Sequence, residues 1–151
     1  MGVFNASATP ITSLEGGPEW VGDAYHVCHT KITSFKGIAK YIYGGLFCRN
    51  CKYLKNPEGL RDIVLDEEGP ARMQRRRVFY STDTTPIYHV VRLFPTFVDF
   101  QRSLDYNYFL VKEDGDVEII EWKLQEALNE IGLSTETHSG IVNVEKFYKF
   151  I

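Results

Sequence analysis

Every cysteine of this 151-residue chain, and two of its four histidines, lie in one stretch, YHVCHTKITSFKGIAKYIYGGLFCRNCKYL, residues 25–54. No other feature would constrain the fold as strongly. Four side chains gripping one ion fix the distance between segments that are remote in sequence. If residues 23–33 run as a strand, His26 and Cys28 project to the same side, because residues two apart share a face. Cys48 and Cys51 form a Cys-x-x-Cys knuckle that lets two thiolates reach one metal. His26, Cys28, Cys48 and Cys51 then make a closed Cys3His tetrahedron, a structural zinc site, with His29 as the substitute ligand. The competing reading is three unliganded core thiols, since free cysteine is among the most buried residue types. A redox pair fits less well: Asn56-Pro57 follows Cys51 too closely for the helix whose N-terminus would lower a thiol pKa. An odd number of cysteines closes no disulfide framework, so the expectation is an intracellular, reducing environment and not secretion.

The rest of the composition narrows the partners. Seventeen basic against twenty acidic residues leave a net charge of −3, which argues against a chain held to phosphate over its whole surface. Ten Phe, nine Tyr and two Trp give an aromatic share of 14%, enough to serve both a core and an interface. No run of about 18 apolar residues offers a membrane span.

Residues 1–22 are rich in Gly, Ser, Thr and Pro without a clean period. They read as an extended N-terminal arm, tied down by a partner, ahead of a single domain at 23–151. Ser34 can cap a helix whose Phe35, Ile38, Ala39 and Ile42 share a face, ended by Gly44-Gly45. RVFYS (77–81), PIYHVVRLF (86–94) and DYNYFLVK (105–112) read as strands. The longest helix is expected after EDGD, with Val117, Ile120, Leu124, Ala127, Leu128 and Ile131 as its stripe. A hairpin returning through 117–120 competes with its first turn. Asn143 can cap a last short helix. No internal repeat or low-complexity tract is read. The fold expected from these segments is α+β, a mostly antiparallel sheet with one long and two short helices, stapled by zinc if the metal reading holds.

Other constellations are weaker. Arg72, Arg75, Arg76 and Arg77, followed by Phe79 and Tyr80, could grip phosphates and stack bases. Asp66, Glu67 and Glu68 just upstream could equally satisfy the same arginines. Ser81, Asp83 and His89 are crowded in sequence, but Ser81 and Asp83 read better as turn-formers before Pro86. The C-terminal helix–loop–helix carries Ser134, Glu136 and His138 where a calcium loop needs its oxygen ligands. The function expected is therefore non-enzymatic: a subunit of a larger assembly, such as a virion, phage particle or multisubunit complex. Its contacts would come from the 1–22 arm and surface aromatics. A zinc-stabilised nucleic-acid-binding module using Arg72–Arg77 is the alternative, and an enzyme of unknown class the third reading.

Overall fold

The computed structural model describes residues 2–65, 78–136 and 138–151. In chain order the elements are β1 (Phe4–Asn5), β2 (Trp20–Val21), β3 (Tyr25–His26), β4 (Tyr41–Ile42), β5 (Leu46–Phe47), β6 (Val64–Leu65) and β7 (Phe79–Tyr80). Then come α1 (Pro86–Val91), α2 (Phe97–Ser103), β8 (Phe109–Val111), β9 (Val117–Ile119), α3 (Glu121–Asn129) and α4 (Ile141–Glu145).

The first seven strands alternate between two sheets. One has the order β1-β3-β5-β7 and the other β2-β4-β6, and every pairing within them is parallel. A chain that visits two sheets in turn, always in the same direction, is a solenoid of stacked coils. Phe4 pairs with Tyr25 and Tyr25 with Leu46, while Trp20 pairs with Tyr41, so the first coils recur every 21 residues.

The corners recur with the same step, to within one residue. Ala8, His29 and Asn50 all take positive φ (60°, 58° and 54°), and so do Gly16, Gly37 and Gly59. Each coil thus turns at two left-handed residues, and at the second of these corners glycine supplies the conformation without steric cost. Inside, like positions stack: Val21 pairs with Ile42, and both lie in one buried core with Leu14, Ile32, Phe35 and Leu54. Two-residue strands suffice because backbone bonds run from coil to coil, as from Tyr25 N–H to Gly45 O and Val27 N–H to Phe47 O, both at 2.9 Å.

The expected antiparallel sheet is corrected by this topology: among the described residues, only the β8–β9 hairpin is antiparallel. Further expectations change with it. Phe35, Ile38, Ala39 and Ile42 share a side because a coil turns inward there, so no helix is needed. Strand β4 takes Tyr41 and Ile42. PIYHVVRLF is largely the helix α1, started by Pro86 in its first turn, since a short apolar run has no period that separates helix from strand. Val117–Ile119 forms β9, which shortens the longest helix to Glu121–Asn129. Asn143 lies inside α4, whose N-cap is Gly140. Residues 2–22, expected as an arm, run along the second coil: Phe4 N–H donates to Ala24 O and Leu14 is buried. Among the described residues no zinc site is shown.

The C-terminal part closes one end of the stack. Ile87 N–H donates to Leu54 O, Gln101 Nε2 to Leu60 O and Ile63 O, and Tyr148 Oη to Lys55 O. Arg61 forks onto Asp105 at 2.7 and 2.9 Å. This pair is exposed and adds orientation more than stability.

One buried group stands out. The Tyr25 hydroxyl is fully buried and has no hydrogen-bond partner among the described residues, and burial raises its pKa. Tyr25→Phe is therefore expected to stabilise the chain by about 1 kcal/mol. Tyr148→Phe, which loses the 2.8 Å bond to Lys55 O, should cost about the same. Urea denaturation midpoints of the two variants check the opposite signs.

Candidate protein-interaction face

Along sheet β1-β3-β5-β7 the side chains alternate. Tyr25 and Leu46 point into the stack, whereas His26, Phe47 and Tyr80 stay half-buried on the outside. Parallel register sets these three one above another. His26 stacks on Phe47 with centroids 4.4 Å apart, and Phe47 on Tyr80 at 4.3 Å with only 7° between planes. Gly45 leaves room for the last ring: a Cβ there would come within 2.4 Å of Tyr80 Cε2. The guanidinium of Arg49 lies at the rim of this stack, its Cζ 5.4 Å from the Phe47 centroid.

Beyond Tyr80 the stripe runs into a cleft of about 440 Å3 between the sheet and the first helices, lined among others by Arg49, Tyr80, Tyr88, Arg92 and Phe94. The second sheet also shows exposed apolar side chains, Trp20, Tyr41 and Val64. Its aromatic rings do not stack along the coils; Trp20 meets Tyr43 edge-on at 5.2 Å.

The predicted zinc ligands are placed as follows. His26 stacks on Phe47 at the outer face, while Cys28, Cys48 and Cys51 are buried. Cys28 Sγ accepts the Arg49 N–H at 3.3 Å. Cys51 Sγ donates to Val27 O at 3.1 Å and lies 3.6 Å from Thr30 Oγ1. His29 sits at a corner, its Nδ1 2.9 Å from the Asn50 side-chain amide. Among the described residues, no group of three or more His, Cys, Asp and Glu side chains is arranged to hold an ion.

Cys51 has a different role that the coil repeat makes visible. Thr9, Thr30 and Cys51 occupy equivalent positions 21 residues apart. Thr9 Oγ1 donates to Ala6 O and Thr30 Oγ1 to Val27 O, each three residues back. Cys51 joins this series by bonding the same Val27 carbonyl from the next coil. Thr85 continues it: its hydroxyl donates to Cys48 O and accepts the Cys51 N–H at 2.9 Å. These side chains satisfy corner backbone groups that a parallel stack would otherwise bury unpaired.

Burial raises the pKa of both Cys48 and Cys51, which keeps them as thiols and suits Cys51 as a donor. Both should resist alkylation at neutral pH until the chain unfolds, as counted by mass spectrometry after iodoacetamide treatment. The same shift fixes a sign. A thiol whose pKa is higher folded than unfolded binds its proton more tightly when folded. Stability should then fall as pH rises above about 9, the range in which unfolded thiols ionise.

The remaining candidates are scattered. Arg72, Arg75, Arg76 and Arg77 lie outside the described residues. His89 is buried against Phe147, with ring centroids 5.1 Å apart, and its Nε2 bonds the Asp83 main-chain oxygen; the Asp83 residue itself is exposed. Ser81 Oγ donates to Cys48 O. What the sequence reading missed is the stripe itself. Its signal is aromatic character recurring at His26, Phe47 and Tyr80, but the last step is lengthened by the segment between β6 and β7.

Compared with protein-family models, with curated proteins and with solved structures, the chain gives no match in any of the three. Among the described residues, no helix is long and apolar enough to cross a membrane.

Proposed function

We propose that this chain is a non-enzymatic component of a larger protein assembly and docks through the outer face of its four-stranded sheet. The observation that carries the reading is the continuous stack His26–Phe47–Tyr80 across three coils, with Arg49 beside it. Rigid aromatic groups bring large contact area at low entropic cost, and aromatic residues with arginine are the side chains that anchor interfaces. A solenoid suits the task because its lateral face extends with every coil while the core stays the same. Residues 2–22 contribute to this reading as the first coil, which carries Asn5 at the end of the stripe.

Size analysis tests the proposal. The tagged chain purified from its own cells should run in a complex larger than the monomer. Phe47→Ala should release it to monomer mass while circular dichroism stays unchanged. A native chain that is monomeric in its own cells contradicts the reading.

A further inference from the structure

We propose that the cleft at the end of the aromatic stripe receives an acidic side chain from an extended segment of the docking partner. This rests on the interaction-face reading and adds the chemistry of what sits there. The chain has more acidic than basic residues, and Lys36, Lys55, Arg61 and Lys112 each pair with a carboxylate. Arg49 and Arg92, both exposed and both lining the cleft, pair with none among the described residues.

Each guanidinium instead lies beside a ring, Arg49 with its Cζ 5.4 Å from the Phe47 centroid and Arg92 with its Cζ 5.3 Å from that of Tyr88. Contact with a ring restrains a guanidinium yet leaves N–H groups free to fork onto a carboxylate. Two restrained, unpaired cations at the mouth of one cleft are charge-complementary to an acid. Phe79, Val91 and Phe94 in the same lining offer apolar contact to the residue beside it.

A protein segment fits this lining better than a nucleic acid does. Bases need an open aromatic face, and Phe47 is covered on one side by His26 and on the other by Tyr80. Tyr88 already carries Arg92. A phosphate backbone is followed by a track of cations, whereas here two cations converge on a pocket of about 440 Å3.

The test is a selection of random peptides displayed on phage against the full chain, followed by fluorescence anisotropy of the leading peptide. The selected peptides should be enriched in Asp or Glu next to an apolar residue. Their binding should weaken at least about tenfold with Arg49→Gln and Arg92→Gln together, at unchanged melting temperature. Peptides without acidic enrichment, binding that survives the double substitution, or failure to select any binder would each overturn the acidic-pocket proposal. So would tighter capture of an oligothymidine than of the leading peptide. A peptide that loses affinity with Phe47→Ala but not with the arginine pair would sink this inference while leaving the interaction face intact.

Discussion

Replacing Phe35 with Ala is expected to destabilise the chain by about 3–5 kcal/mol, the cost of emptying a fully buried aromatic site. Phe35 has no exposed surface and meets Phe79 edge-on, with centroids 6.3 Å apart. Its backbone is held from both directions. The Phe35 N–H donates to Glu58 O in the third coil, and its carbonyl accepts from Ile38. Neighbouring coils therefore cannot close over the space without breaking the bonds that set their spacing. An isolated loop of the same sequence would relax, but a stack transmits the defect to the coils on either side. Chemical denaturation with wild type and variant in parallel checks this. A loss below about 1 kcal/mol would mean that Phe35 does not lie inside a stacked core.

The second large effect concerns the corner glycines, where equal chemistry gives unequal results. Gly59 has φ +100°, and a Cβ built there would lie 2.2 Å from the Phe35 carbonyl oxygen. That oxygen already accepts the Ile38 N–H at 3.0 Å and cannot withdraw without losing it. Gly16 has φ +87° in open space, with nothing within 4 Å of a Cβ. Gly16→Ala should cost roughly 1–2 kcal/mol, the strain of a left-handed alanine alone. Gly59→Ala adds a backbone collision between coils and should cost about 3–4 kcal/mol. Equal losses in the two variants would contradict the tight stacking of the second coil on the third.

Why was so little of this stacking legible in the residues? The repeat keeps the inward register without keeping residue identity. Phe4, Tyr25, Leu46 and Phe79 share one register position, and Thr9, Thr30 and Cys51 share another. Between β6 and β7 the step lengthens, which hides the period from any fixed spacing. Within a coil, inward positions fall at irregular intervals because the chain turns two corners. Phe35, Ile38, Ala39 and Ile42 consequently imitate a helical face.

The cysteine question has the same origin. A Cys-x-x-Cys spacing also arises when one thiol occupies a buried position just after β5, Cys48, and the other the corner donor position, Cys51. Where the chain leaves the solenoid, local signals served better. The EDGD turn admits a hairpin return through Val117, which forms as β8–β9, and the apolar spacing around Asn143 predicts the short helix found at Ile141–Glu145. The outer stripe needed the register first, because His26, Phe47 and Tyr80 become one surface only when the coils are stacked.

The most direct test of that surface is a photo-crosslinking benzophenone amino acid placed at position 47, with position 64 on the other sheet as the control. Both sites are accessible, Phe47 in part and Val64 at 46% exposure. Irradiation of the chain in its own cells should give a discrete covalent adduct to a protein from position 47 and none from position 64. An adduct from position 64 alone, or no adduct from position 47, would show that the stacked stripe is not the docking face.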